Sequence, residues 1–220
     1  MKVLFIGNSY TFFNDMPNMV QTLAKENGKE IIQHSVTKGG RYLYENLADG
    51  DANAEKIKEL VNKNSFDALI LQEQSSFAIV DYGKFLYAVE ELKKLAAAKR
   101  TILYSTWGRK SGSPKLEELG LTSEEMTQKL TEAYISAKNS TNSEISPVGK
   151  AFLKISKEIP NAELYNPDLS HPSYLGSAVA AICHYRVLFG EMPSMTNTLA
   201  LNDISIPKLI DVISEVFRES

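Results

Sequence analysis

Short apolar runs recur along the chain, and longer segments that mix apolar and polar positions separate them. Each run is bounded by polar or turn-forming residues, as is typical of strands buried on both faces. Five such runs occur, at positions 3–6, 31–36, 68–71, 101–105 and 144–148. We predict that they form buried strands of a parallel sheet.

The intervening segments carry apolar residues at helical spacing. Positions 16, 19, 20, 23 and 24 share one face of a predicted helix that Asp15 caps, with Pro17 in its first turn and Gly28 at its end. Similar stripes occur at 85–95, 130–137 and 206–217. Strands that alternate with helices predict an α/β fold, with helices on both faces of a mostly parallel sheet.

The segment 108–122 interrupts this alternation. Three glycines, one proline and several charged residues predict a long loop, alone or with a short helix. Such a loop can be a functional element, a contact between copies or a simple insertion.

Composition describes an ordinary globular chain of 220 residues, 43% of them apolar and 23% charged, which we take as one domain over 1–220. The net charge of −3 gives no positive field for nucleic acid, and no apolar run approaches a membrane span. Lys2 and the short run after it do not make a signal peptide, so we expect a cytoplasmic protein, with a removed leader as the alternative. Cys183, the one cysteine, lies in an apolar helical stretch and is predicted to be a buried thiol.

A serine follows the first predicted strand. Ser9 comes after Gly7 and Asn8, where the carboxyl ends of parallel strands form a ligand crevice. Gly7 would allow a sharp turn that exposes the serine hydroxyl, although the same residues favour an ordinary turn.

An aspartate and a histidine three positions apart lie near the other end of the chain. In a helical turn Asp168 would reach Nδ1 of His171 and leave Nε2 free to take a proton from Ser9. Pro172 would push His171 out of helical geometry and open the next helix, which places His171 where a loop meets that helix. A helix cap beside a surface histidine is the alternative interpretation.

Hydrogen-bond donors for an oxyanion are available after the first three strands. The amide of Ser9 is one candidate, and Gly39-Gly40 after the second strand is another. Gln72 and Gln74 follow the third strand and carry side-chain amides. Tight turns and a polar loop are the structural alternatives.

These segments resemble the sequence blocks of the SGNH, or GDSL-like, hydrolase superfamily, over most of the chain from Val3 to Leu188. The resemblance identifies Ser9 as the nucleophile, Gly40 as an oxyanion-hole donor, and Asp168 and His171 as the rest of a triad. Leu-Gln-Glu-Gln-Ser at 71–75 resembles one subgroup. The family fold is a flavodoxin-like three-layer α/β/α sandwich with five parallel strands.

Two positions depart from the family pattern. Asn8 stands where the family has aspartate, which keeps a hydrogen-bonding side chain and removes a charge. The asparagine that the third block usually gives to the oxyanion hole aligns with Gln74. Gln72 is the alternative donor and a weaker candidate for substrate binding.

Other residues are weaker candidates. Trp107 and Arg109 follow the fourth strand and would line the substrate pocket, with Arg109 meeting an acidic or sugar substrate; a packed tryptophan and a solvated arginine are the alternatives. We interpret His34 as a hydrogen-bonded structural histidine and His184 as a packed one. No HExxH motif, cysteine pair, GxGxxG or P-loop motif occurs, so no metal or nucleotide cofactor is predicted.

The resemblance implies a serine esterase that needs no cofactor and acts on small acyl esters, of which acetylated carbohydrates are one natural class. Three alternatives stay open: an acyltransferase that uses the same site, a non-catalytic module that binds small molecules or glycans, and a flavodoxin-like FMN carrier.

Overall fold

Five parallel strands form one sheet in the computed structural model, which describes residues 1–201 and 205–219. The sheet order is β2-β1-β3-β4-β5. This order matches the flavodoxin-like doubly wound arrangement, in which ligands bind beyond the carboxyl ends of the strands. The strands are β1 (Lys2–Gly7), β2 (Ile32–Thr37), β3 (Ala68–Leu71), β4 (Arg100–Tyr104) and β5 (Glu144–Ser146).

Helices cover both faces of the sheet, so the α/β prediction is confirmed. The helices of the described residues are α1 (Ser9–Phe12), α2 (Met16–Glu26), α3 (Ala52–Lys63), α4 (Phe77–Val80), α5 (Tyr82–Ala96), α6 (Pro114–Leu119), α7 (Ser123–Thr141), α8 (Val148–Glu158), α9 (Tyr174–Phe189) and α10 (Ile206–Arg218). Short 3₁₀ turns lie at Phe13–Asp15, Leu43–Leu47 and Asn197–Leu199.

The pleat of the strands divides the core into two layers. In β1, Val3 and Phe5 pack against the helices α2, α8, α9 and α10, while Leu4 and Ile6 face α3, α5 and α7. Because side chains alternate along a strand, apolar residues at every position of β1 are buried on both faces of the sheet.

Three local predictions are wrong. The strand β2 is not buried, because it lies at the sheet edge, and only Val36 among its residues is fully covered. Asp15 precedes α2 but takes a left-handed conformation and makes no capping hydrogen bond. Pro172 does not open the next helix, since α9 begins at Tyr174 and Ser173 caps it through the amide of Gly176.

The segment 108–122 is the predicted loop with a short helix, α6. Its Lys110 amide donates to the carbonyl of Leu169 at 2.9 Å, which ties this segment to the one that carries His171. Cys183 is fully buried, as predicted. Within 1–201 and 205–219, no helix has both the length and the apolar character needed to cross a membrane.

Candidate active site

Ser9 lies at the carboxyl edge of the sheet, as the first residue of α1. The side chain of Asn8 caps this short helix, because its Oδ1 accepts from the amide of Tyr10 at 3.1 Å. Nδ2 of Asn8 donates to the carbonyl of Arg41 at 3.0 Å. An ionised aspartate could not donate the hydrogen bond to Arg41. Asparagine therefore joins the turn at residues 7–9, the nucleophile turn, to the loop at residues 38–41, the Gly40 loop.

Gly7 serves a different purpose from the one predicted. Its backbone does not take the left-handed conformation. A Cβ at this position would lie 2.5 Å from Oγ1 of Thr11 and 2.7 Å from Oε1 of Gln72. Close approach of neighbouring side chains therefore requires glycine here, and a sharp turn does not.

The structure brings Ser9, His171 and Asp168 together, although the serine and the histidine are 162 positions apart in the sequence. Nε2 of His171 lies 2.8 Å from Oγ of Ser9, and Nδ1 lies 2.5 Å from Oδ2 of Asp168. Each nitrogen of the imidazole thus has the partner that a serine nucleophile and its base require.

A turn rather than a helix makes the contact between Asp168 and His171. Leu169 has a φ of 61°, and Oδ1 of Asp168 accepts from the amides of Ser170 at 3.0 Å and His171 at 2.9 Å. Partial burial acts to raise the pKa of Asp168, but the hydrogen bonds from His171 and Ser170 hold that pKa below its usual value. The carboxylate is therefore ionised at neutral pH.

Aromatic rings support the imidazole, and the sequence patterns did not single them out. The ring of Phe13 stacks on His171 at a centroid distance of 4.3 Å and an interplanar angle of 12°. Tyr10 packs edge-on against His171 at 5.6 Å, and its hydroxyl lies 2.8 Å from Oγ of Ser170. Asn14, which follows Phe13, ties this turn to the segment after His171, because its Nδ2 donates to the carbonyl of Pro172 at 3.3 Å and to Oγ of Ser177 at 2.9 Å.

Backbone donors suited to an oxyanion adjoin Ser9. The amides of Ser9 and Gly40 donate no hydrogen bond to any described residue, and both residues line the same cavity. Gly40 has a φ of 69°, so any other residue would strain the backbone there.

The two glutamines have different roles. Gln74 lines the cavity; its Oε1 accepts from the amide of Ser76 at 3.1 Å, and its Nε2 has no partner among the described residues. Gln72 is buried, and its Oε1 accepts from the amide of Asn8 at 2.9 Å and the hydroxyl of Thr11 at 2.8 Å. The expectation that Gln72 binds substrate is wrong. Its side chain accepts hydrogen bonds from Asn8 of the nucleophile turn and from Thr11, and it does not line the cavity.

Glu73 is buried beside the cavity, and no sequence motif assigned it a role. Its Oε1 accepts from the amides of Leu43 at 3.1 Å and Gln74 at 2.6 Å, and its Oε2 is buried without a partner in the described part of the chain. Burial raises the pKa of Glu73 to about 7. A charged residue between two glutamines after a buried strand was the available sequence signal.

Trp107 and Arg109 also differ in position. Trp107 is fully buried between Tyr10 and Phe152, with stacked rings at 4.6 and 4.0 Å, so the packed alternative holds and the substrate-binding expectation is wrong. Arg109 lines the cavity and donates from Nη2 to Oγ of Ser75 at 2.9 Å.

A cavity of about 220 Å³ opens above Ser9. Its lining combines the nucleophile turn, the Gly40 loop, the strand-end residues after β3 and β4, and the Asp168–His171 turn. The lining residues are Asn8, Ser9, Tyr10, Gly40, Gln74, Ser75, Arg109, Asp168, Ser170 and His171.

The other histidines lie elsewhere. His34 packs edge-on against Phe66 at 5.4 Å, and its ring makes no hydrogen bond to the described residues, so the hydrogen-bonded interpretation is wrong. His184 is fully buried against Tyr104, as predicted, and burial lowers its pKa to about 3. The described residues contain no cluster of three or more His, Cys, Asp or Glu side chains that could hold a metal ion.

Solved structures share this fold. A candidate SGNH hydrolase from Slackia heliotrinireducens is 27% identical, with a TM-score of 0.74 over 86% of this chain and 98% of its own. A DUF4886 family protein from Bacteroides uniformis ATCC 8492 is 17% identical, with a TM-score of 0.76 over 98% and 92% of the two chains. The acetyl xylan esterase AlAXEase is 15% identical, with a TM-score of 0.65 over 86% and 100%. The sequence matches no family profile and no curated protein.

Proposed function

We propose that this chain, which belongs to the SGNH hydrolase superfamily, is a serine esterase that cleaves small acyl esters. One observation carries the proposal: His171 lies within hydrogen-bond distance of both Ser9 and Asp168, at 2.8 and 2.5 Å. A hydroxyl, a base and a carboxylate in this order can generate a serine nucleophile. Assignment to the Leu-Gln-Glu-Gln-Ser subgroup stays a prediction.

In the first half of the proposed reaction, Nε2 of His171 takes the proton of Ser9 as Oγ attacks the ester carbonyl carbon. The carbonyl oxygen becomes an oxyanion, which the amides of Ser9 and Gly40 and Nε2 of Gln74 stabilise. Asp168 remains ionised and stabilises the imidazolium of His171. The bond from carbon to the alcohol oxygen then breaks, and His171 returns the proton to the leaving alcohol.

In the second half, water attacks the acyl group on Ser9. His171 takes a proton from this water, a second tetrahedral intermediate forms at the same donors, and the bond between the acyl carbon and Oγ breaks. Ser9 recovers its proton from His171, and the carboxylic acid leaves. No cofactor is needed for either half.

Small acyl groups suit the cavity. Its volume is about 220 Å³, and the nucleophile, the base and the donors all line it, which favours short acyl groups over long lipid chains. An acetyl xylan esterase has the same fold. We therefore propose acetyl esters as the substrates, with carbohydrate alcohols as a natural class.

Hydrolysis of 4-nitrophenyl acetate tests the proposal. We expect turnover by the natural chain and its loss in Ser9→Ala and in His171→Ala. Ser111→Ala is the matched control, because Ser111 is exposed and does not line this cavity. Circular dichroism establishes that each variant is folded.

Labelling by a fluorophosphonate gives a second, independent readout. Ser9 should form the covalent phosphonyl adduct, and neither Ser9→Ala nor His171→Ala should be labelled. Turnover that persists in Ser9→Ala would contradict the mechanism. A folded natural chain with neither turnover nor labelling would favour a non-catalytic binding module.

A further inference from the structure

Among the described residues, Arg109 is the one arginine or lysine that lines the cavity above Ser9. It follows β4, and its position is fixed by the residue before it: the amide of Gly108 donates to Oγ1 of Thr127 at 2.9 Å, and the carbonyl of Gly108 accepts from the hydroxyl of Tyr165 at 2.9 Å. These contacts hold the backbone that projects Arg109 toward the cavity.

The guanidinium has unused hydrogen-bonding capacity. Nη2 donates to Oγ of Ser75 at 2.9 Å, while Nε is buried and has no partner among the described residues. Arg109 forms no ion pair with any acidic side chain in 1–201 and 205–219. An arginine carries five N–H donors, so most of its donors remain for a ligand.

Asp168 does not satisfy this charge, although it lines the same cavity. Both of its oxygens are engaged, Oδ2 by His171 and Oδ1 by the amides of Ser170 and His171. Arg109 is partly exposed at the cavity and has no ion-pair partner among the described residues, so a bound anion would gain charge-assisted hydrogen bonds there. A planar guanidinium matches a carboxylate better than a hydroxyl, because two parallel N–H groups can each bind one oxygen.

We infer that Arg109 recognises a carboxylate on the substrate, so that the preferred esters are anionic. This inference rests on the proposed esterase function. The carboxylate can belong to the alcohol, as in an acetylated hydroxy acid or uronic acid, or to the acyl group, as in a half-ester of a dicarboxylic acid. Both sources present the same chemistry to the guanidinium.

Two matched pairs of esters distinguish the two sources. 4-Acetoxybenzoate and 4-acetoxybenzamide place a charged or a neutral group of similar shape on the alcohol. The mono-4-nitrophenyl ester of glutaric acid and 4-nitrophenyl pentanoate place a carboxylate or a methyl group at the end of the acyl chain. In one of the two pairs, we expect kcat/KM to be about 10 to 100 times higher for the anionic ester than for the neutral one. Charge-assisted hydrogen bonds to Arg109 can supply a difference of this size.

Substitution of Arg109 should abolish this preference. In Arg109→Gln the ratio of kcat/KM between the anionic and the neutral ester should fall to near one, and Arg109→Lys should keep part of it. Lys110→Gln is the matched control, because Lys110 pairs with Glu163 at 3.0 Å outside the cavity. It removes the same charge from the neighbouring position and should leave the ratio unchanged.

Binding to the Ser9→Ala variant tests the inference without turnover. Calorimetry should show tighter binding of the anionic member of one pair, and the Ser9→Ala, Arg109→Gln double variant should bind both members alike. Equal affinity for anionic and neutral esters in Ser9→Ala would overturn the inference, as would an equal loss of kcat/KM on both esters in Arg109→Gln. Failure of the esterase proposal is separate, because it appears as absent hydrolysis of 4-nitrophenyl acetate.

Discussion

The carboxyl group of Glu73 accepts a hydrogen bond from the backbone amide of Leu43 at 3.1 Å, across two loops of the carboxyl edge of the sheet. The same oxygen accepts from the amide of Gln74 at 2.6 Å. Leu43 follows Gly40 by three residues, so one buried side chain joins the loop of Gly40 to that of Gln74. These are the loops that carry two of the proposed oxyanion donors.

Glu73 should make stability fall as pH rises toward neutrality. Its pKa is about 7 in the folded chain, above the ordinary value of 4.5. Between these values the unfolded chain releases the proton and the folded chain keeps it, so the stabilisation present below pH 4.5 is lost as pH rises through 7. The loss is on the order of 3 kcal/mol.

Urea unfolding at pH 5 and pH 8 measures this effect. Glu73→Gln keeps the size of the side chain and one acceptor oxygen but cannot ionise, so its stability relative to the natural chain should improve at pH 8. Glu124→Gln, on an exposed helix end, is the control. An identical pH dependence of the natural chain and Glu73→Gln would show that the carboxyl does not ionise in this interval.

His184 should make stability fall in the acid direction. Its pKa is lowered to about 3 by burial, so the unfolded chain binds a proton below pH 6.5 while the folded chain stays neutral. The natural chain should lose about 2 kcal/mol through this residue between pH 7 and pH 5. Both ring nitrogens are buried without a partner in the described chain, which adds a cost at every pH.

His184→Leu should therefore be more stable than the natural chain, and the difference should grow on acidification. Thermal unfolding at pH 7 and pH 5 gives the comparison. His34→Leu removes a histidine from the half-exposed edge strand and serves as the control. A His184→Leu variant that is less stable at pH 5 would mean that the imidazole has a role the packing does not reveal.

Gln74 and Gln72 should respond differently to truncation. Removal of one oxyanion donor typically lowers kcat by about 10²- to 10³-fold, so Gln74→Ala should show this loss, with only a small loss of stability from the one hydrogen bond that its Oε1 accepts from Ser76. Gln72→Ala removes the acceptor for Asn8 and Thr11, and it should lower the unfolding temperature. Parallel measurements of kcat and thermal unfolding separate the two effects. Unchanged kcat in Gln74→Ala would leave the oxyanion to the backbone amides alone.

Phe13 should support the orientation of His171. Stacked rings contribute about 0.5–1.5 kcal/mol beyond their buried area. If that energy holds the imidazole in place, Phe13→Leu should lower kcat by about 2- to 10-fold with little change in KM. Phe13→Tyr keeps the aromatic face and should retain kcat. Equal kcat in Phe13→Leu and the natural chain would show that the contacts with Asp168 and Ser9 suffice to orient the ring.

The periodicity of the sequence determined most of the fold. Apolar runs such as 68–71 coincide with the observed strand, because a strand buried on both faces must be apolar at every position. Strand β2 does not follow this rule because it lies at the edge of the sheet. The order of the strands decides how far each one is buried, and the local sequence pattern does not encode that order. The predicted cap at Asp15 is also wrong, because Asn14 and Asp15 both take left-handed conformations between α1 and α2.

The sequence by itself also determined which residue types the site contains: Ser9, Asp168 and His171 were identified from short segments. Only the tertiary structure decided how they are arranged, because Ser9 and His171 are 162 positions apart and the crossovers of the sheet bring Oγ of Ser9 to 2.8 Å from Nε2 of His171. It also decided that Gln72 and Trp107 are buried supports while Gln74 and Arg109 face the cavity. Burial and side-chain direction at a strand end depend on what packs above and below, which no local pattern records.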